Sequence, residues 1–221
     1  MPRRTFEREL QHLQDEMLIL GSMVEKAITD SLETLKQRDR EAARQVIADD
    51  LKINRHRFDI EEACIQLMAT QQPMAGDLRA IVAVLHIIVD LERMADHAEG
   101  IARITLMMGD QPPLKPLIDV PRMAEKGVDM LRRSLEAFIH RDVEAARRIC
   151  DEDDEVDALY DQVYRELLTY MIADPTTINR ATYLLWAAHN LERIADRVTN
   201  ICERVIFMAT GEMEELNVSK Y

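Results

Sequence analysis

Apolar residues return every three or four positions through most of this chain, the spacing that lines one face of an α-helix. Near the C-terminus Leu184, Ala188, Leu191, Ala195, Val198, Cys202 and Val205 alternate steps of four and three in a single stripe. Helix starts are marked as plainly. Asp39 and Asp142 stand where an N-cap is needed, each followed in the first turn by an acid, Glu41 or Glu144. Pro73 and Pro175 fall where a new helix opens, and Asp174 is placed to cap the second. The pattern predicts six helices, over 6–37, 40–71, 74–108, 120–140, 143–173 and 176–210.

These six are two copies of three. Residues 31–50 align without gaps on 134–153, at an offset of 103 and with ten of the twenty positions identical. "LERMADHAEG" at Leu91 to Gly100 then returns as "LERIADRVTN" at Leu191 to Asn200, at an offset of 100. A repeat of about 100 residues is a duplicated small domain and not a solenoid unit. The expected domains are 1–110 and 118–213, each a three-helix bundle. The four prolines between Gln111 and Pro121 mark the linker, and the residues after Thr210 are expected to fray.

Composition narrows the class. Six Gly, seven Pro, thirteen Met and 5% aromatics among 221 residues favour helix and leave little for a sheet, so the expected fold is all-α. A formal charge of −13 repels phosphate backbones and anionic lipids, which argues against a nucleic-acid partner. The longest apolar run, Ala80 to Val89, is about half of what spans a bilayer, and the start lacks a signal peptide's apolar stretch. Cys64, Cys150 and Cys202 are scattered and odd in number, which suits reduced thiols in a cytosol; Cys202 and most Met residues read as core filling.

Two carboxylates interrupt this order. On the second predicted helix the stripe runs Val46, Asp50, Ile53, Arg57, Ile60, Cys64, Leu67; on the fifth it runs Ile149, Asp153, Val156, Tyr160, Val163, Leu167, Tyr170. Asp50 and Asp153 hold equivalent places in a helix-packing seam, where an uncompensated carboxylate costs several kcal/mol. Each has a polar residue one turn on, Asn54 or Asp157, and the same four-residue spacing joins Glu92 to Asp96 and Glu192 to Asp196. In a helical hairpin, residues equidistant from the turn share a level. The pairs centred on 52 and 94 have their midpoint at 73, the Pro73 turn; those centred on 155 and 194 have theirs at 174.5, the Asp174–Pro175 turn. Two acidic clusters are therefore expected: Asp50, Asn54, Glu92 and Asp96, and Asp153, Asp157, Glu192 and Asp196. Carboxylates brought so close repel, and an oxygen-seeking cation such as Mg²⁺, Mn²⁺, Ca²⁺ or iron relieves them. Pairing with Arg93 and Arg193 is the alternative remedy.

At "DLERMADHAEGIAR" and "NLERIADRVTNICE" the chain resembles the PhoU family of phosphate-signalling accessory proteins, over almost its whole length and including "PMAGDLRAI" after the first hairpin turn. The resemblance implies six helices in two similar bundles, with acidic motifs on the second and third helix of each that bind metal clusters in some members and are metal-free in others. Glu92, Asp96, Asp153, Asp157, Glu192 and Asp196 match the acidic motif. Asn54 departs from it by an amide, which implies weaker metal binding in the first cluster, and Gly100 stands where the second copy has Asn200. The family role so implied is negative regulation of the phosphate-starvation response, linking the phosphate transporter's ATP-binding subunit to a sensor histidine kinase. It further implies a cytoplasmic homodimer without enzymatic activity.

The rival reading is a carboxylate-bridged redox or hydrolytic enzyme in a helical bundle. Di-iron sites of that kind carry Glu-x-x-His on two helices. The match here, Glu9 to His12, lies outside both expected clusters, and no phosphate-cradling glycine loop occurs.

Overall fold

The computed structural model describes residues 2–216. It contains α1 (Pro2–Gln37), α2 (Arg40–Gln71), α3 (Ala75–Met108), α4 (Asp119–His140), α5 (Val143–Asp151), α6 (Asp153–Ala173), a 3₁₀ turn (Pro175–Thr177) and α7 (Ile178–Thr210). The described residues form no strand. None of the helices is long and apolar enough to cross a membrane.

The expected caps form. Asp39 accepts hydrogen bonds from the amides of Glu41 and Ala42 at 3.0 and 2.9 Å, and Asp142 accepts from Ala145 N at 2.9 Å. Asp174 accepts from Thr176 N and Oγ1 at 3.0 and 2.8 Å, which starts the 3₁₀ turn into α7. Pro73 lies two positions before α3, whose N-cap is Met74, and so precedes the helix instead of opening it.

The predicted fifth helix is not continuous. Glu152 separates α5 from α6, and its N–H reaches Ile149 O at 3.2 Å, the tighter three-residue bond of a 3₁₀ turn. Its side chain is held from α4, where Arg133 donates to both carboxylate oxygens, Nη1 at 2.8 Å and Nη2 at 2.5 Å. The break therefore falls immediately before Asp153. The tail also differs from expectation as far as it is described. Glu214 pairs with Arg147 of α5 at 2.7 Å, and Leu216 N donates to Glu203 of α7 at 3.0 Å, so residues 212–216 fold back; the rest of the expected frayed segment lies outside the described residues.

Within each repeat the three helical segments pack on one another, and the two bundles join through α3 with α7 and α1 with α4. The contact between α3 and α7 is the broadest in the molecule. All seven residues of the predicted α7 stripe are buried, and one continuous apolar cluster runs from Phe6 on α1 to Met208 on α7. The repeats therefore share a core. Truncating a fully buried member such as Met94 to Ala costs about 2–5 kcal/mol. Packing is so close between α1 and α4 that a Cβ on Gly21 would lie 2.3 Å from Leu135 Cδ1.

Polar pairs fix how α3 lies on α7. Asn200 Nδ2 donates to Asp90 Oδ1 at 3.1 Å, with Arg197 Nη1 at 3.6 Å from the same oxygen. At the other end His97 Nδ1 meets Asn190 Oδ1 at 3.0 Å. Asn190 Nδ2 is used on Trp186 O at 2.8 Å, so its oxygen accepts and His97 donates through Nδ1. The pairs run in opposite directions along the two helices, which are antiparallel. They also exchange under the 100-residue offset: Asp90 corresponds to Asn190, His97 to Arg197 and Gly100 to Asn200.

Candidate functional site

Each hairpin brings its acids together. In the first, Asp50 on α2 feels the charges of Asp96, Glu99 and Glu92 on α3. Burial, followed by this like charge, pushes the Asp50 carboxyl up to about 6. Asn54 Nδ2 donates to Asp50 Oδ2 at 2.8 Å. That leaves Asp50 Oδ1 and Asn54 Oδ1 buried without a hydrogen-bond donor. Glu92 is raised by burial and then by Asp96, against Arg57 and Arg93, which act at a distance. Asp96 is raised by burial and then by Glu99.

The second hairpin is arranged alike but compensated differently. Burial pushes Glu192 up to about 7, with Asp196, Asp157 and Asp153 adding repulsion and Arg193 opposing it. Arg193 Nη1 lies 2.7 Å from Asp196 Oδ2, so the arginine remedy operates here for one acid. His189 Nδ1 is 3.3 Å from Glu192 Oε2, but not in hydrogen-bond geometry, and that oxygen is buried without a donor. Asp153 is only 3% exposed and opens α6, where the amides of a helix N-terminus favour an anion.

All eight expected positions thus fall in the two clusters in which spacing placed them. Their carboxylates do not form a closed cage: among the described residues no three His, Cys, Asp or Glu side chains are arranged around one ion position. The donor set nevertheless suits a hard cation. Oxygens dominate both clusters, three of them, Asp50 Oδ1, Asn54 Oδ1 and Glu192 Oε2, lack a donor, and no thiol or zinc-type histidine set takes part.

Some members escaped the spacing argument. Glu99 presses on both Asp50 and Asp96 while paired with Arg103 at 2.6 Å. Its counterpart in the second copy is Thr199, so the repeat carried no sign of it. Tyr160 packs its ring 6.0 Å from that of His189, and burial with the Glu192 charge raises its hydroxyl.

A family model described as the PhoU domain matches residues 17–105 and again 120–205. The chain belongs to the PhoU family. Its similarity to the family extends end to end. The phosphate-specific transport system accessory protein PhoU homolog of Clostridium acetobutylicum is 38% identical over 218 residues, covering 98% of this chain and 100% of the relative. The phosphate-specific transport system accessory protein PhoU of Escherichia coli strain K12 is 34% identical, covering 94% and 86%. Crystal structures agree in fold. The phosphate transport system regulatory protein PhoU of Streptococcus pneumoniae superposes with a TM-score of 0.89 at 32% identity, over 96% of this chain and 100% of that one. PhoU of Pseudomonas aeruginosa gives 0.89 at 34%, over 94% and 100%. Within this family frame Gly100 has a packing reason. A Cβ there would come 3.0 Å from Asn190 Oδ1, so the missing side chain makes room for the amide that His97 engages.

Proposed function

We propose that this chain is a cytoplasmic, non-enzymatic negative regulator of the phosphate-starvation response, controlling phosphate uptake by binding other proteins. What carries the reading is kinship over nearly the full length with phosphate transport accessory and regulatory proteins. The expected partners are the phosphate transporter's ATP-binding subunit and the phosphate-sensing histidine kinase. An acidic chain reaches a membrane through such proteins and not through anionic lipid.

The acidic clusters are proposed to hold divalent cations, Mg²⁺, Mn²⁺ or Fe²⁺. Asp50, Asn54, Glu92 and Asp96 would hold one set, and Asp153, Asp157, Glu192 and Asp196 the other. A bound cation would supply positive charge that cancels the carboxylate repulsion and orders the hairpin surface for a partner. The donorless oxygens of Asp50, Asn54 and Glu192 support this, and side chains must draw inward to close the coordination. Nothing specific favours the metalloenzyme alternative, since Glu9 and His12 lie on α1, outside both hairpins.

The test is a pull-down of both partners with wild type and with the combined Glu92→Gln, Asp96→Asn, Glu192→Gln, Asp196→Asn variant. Starvation-gene expression is followed in phosphate-rich medium. Wild type is expected to bind and repress, and the folded variant to lose part of both. A wild type that binds neither partner removes the regulatory reading; a variant that behaves normally leaves the clusters with a structural role.

A further inference from the structure

A cavity of about 260 Å³ opens where the linker crosses from one repeat to the other. Apolar side chains make most of its wall, among them Leu35 from the end of α1, Met108 from the end of α3, Leu117 from the linker and Leu184 from α7. The charged residues of the wall, Lys36, Arg38 and Lys115, are all cations, and among the described residues no carboxylate lines it. The chain as a whole carries a formal charge of −13, so such a wall is not what its average composition gives. The cavity beside Asp50, by contrast, has Asp30, Asp49, Asp50 and Glu99 in its wall.

Two of the cations are already matched. Lys36 Nζ lies 2.9 Å from Glu33 Oε2, and Lys115, whose side chain is only 7% exposed, pairs with Glu166 of α6. Arg38 is not matched: its Nη2 is buried and has no acceptor among the described residues. A guanidinium donor taken out of water without a partner is costly, so the position calls for an acceptor from outside the chain. The duplicated copy shows that the fold does not require this arrangement. At the offset of 103, Lys36 becomes Ile139 and Arg38 becomes Arg141, which is exposed. Lys115 belongs to the linker, outside both repeats.

We propose that this cavity binds a small aliphatic carboxylic acid, with the carboxylate on Arg38 and the hydrocarbon chain against Leu117 and Leu184. One unmatched positive charge suits a monoanion, and the planar guanidinium fork suits the two oxygens of a carboxylate. The apolar wall suits the rest of the ligand. The cavity is smaller than the ~300–1,000 Å³ of sites for drug-sized molecules, which restricts the ligand to a short chain. Inorganic phosphate fits less well, since it would bring a second negative charge towards Glu33 and Glu166 and leave the leucines facing a hydrophilic ion. Because the wall draws on α1, α3, the linker and α7, an occupant ties the linker to both repeats.

This site is independent of the regulatory reading, and a methyl NMR titration of the purified full chain with hexanoate at neutral pH tests it. Hexanoate is expected to saturate, with shifts at Met108, Leu117 and Leu184, while hexylamine and inorganic phosphate at the same concentrations do not. Arg38→Gln is expected to weaken hexanoate about tenfold with an unchanged helical spectrum. Arg141→Gln, the same change in the second copy, should leave binding intact. Leu117→Glu, which sets an acid in the wall without touching Arg38, should give the same loss as Arg38→Gln. Hexanoate that never saturates overturns the proposal, and so does binding indifferent to Arg38→Gln and Leu117→Glu. Hexylamine that binds as tightly makes the cavity a general apolar site, and phosphate that binds as tightly makes it a site for a hydrophilic anion; either result overturns the assignment.

Discussion

The two hairpins share three equivalent carboxylates, Asp50, Glu92 and Asp96 against Asp153, Glu192 and Asp196, and neutralise them differently. In the second, Arg193 reaches Asp196 at 2.7 Å, and Asp153 stands in the first turn of a fresh helix, where the helix dipole favours an anion. In the first, Asp50 lies within an unbroken α2, Asn54 supplies one hydrogen bond to it, and Arg57 is occupied with Glu61 at 2.9 Å. Duplication has preserved the carboxylate positions better than their compensation. The positions are what the two copies hold in common, and the cations beside them are adjustments to each neighbourhood.

If both clusters hold metal, removing it gives the largest effect. A cation at a free concentration about one hundred times its dissociation constant stabilises the fold by roughly 2.7 kcal/mol. Chelation should therefore lower the melting temperature, and Mg²⁺, Mn²⁺ or Fe²⁺ should restore it. Asp153→Asn with Glu192→Gln should abolish more of that response than Asp50→Asn with Glu92→Gln, because the first cluster already contains an amide. Equal responses would erase the distinction. A melting curve indifferent to chelator and cation would reject both sites.

A smaller effect is expected from pH without metal. Asp50 and Glu192 have carboxyls raised to about 6 and about 7, above the 3.8 and 4.5 of the unconstrained groups. Folding then favours their protonated forms, so the stability they contribute is present at low pH and is lost as pH rises through those folded values. In chelator the melting temperature should fall between about pH 4 and 7, and Asp50→Asn with Glu192→Gln should flatten the fall. A steeper fall in that variant would contradict the assignment.

The finest contrast compares equivalent residues. Asp196→Asn loses a partly exposed pair with Arg193, about 0.2–1 kcal/mol, while relieving burial of its charge and its repulsion of Glu192. In metal-free protein it should therefore be less favourable than the equivalent change in the first cluster. Asp96→Asn removes like charge beside Asp50 and Glu99 and should be neutral or mildly stabilising under the same conditions. Thermal melts of the two variants side by side decide the matter, and changes of equal size would argue against different compensation.

The helical class, the Asp39, Asp142 and Asp174 caps and the levels of the acidic pairs were legible in the chain because each depends on local spacing or on distance from a turn. The break at Glu152 was not. Periodicity runs straight through it, and it coincides with a clamp from Arg133, nineteen positions earlier on another helix. Glu99 went unnoticed because its counterpart is Thr199, and the repeat was the filter that lifted acids above background. The shared core was also hidden. Stripes on α3 and α7 show that each helix is buried but not that they bury each other, which required the Asp90–Asn200 and His97–Asn190 pairs to be seen.

Those pairs bear on the history of the chain. In an assembly of two identical three-helix chains, every position on the joining helix must serve both sides of the axis with one residue type. Here the places of Asp90 and Asn190, His97 and Arg197, and Gly100 and Asn200 have diverged in concert, so that an acid on one side is met by a cation and an amide, and an amide on the other by an imidazole and an empty space. Covalent fusion is what permits this. A chain cut in the linker would yield halves complementary to each other and mismatched to themselves, so reassembly would select the hetero-pair and the ancestral symmetric pairing would be closed to it.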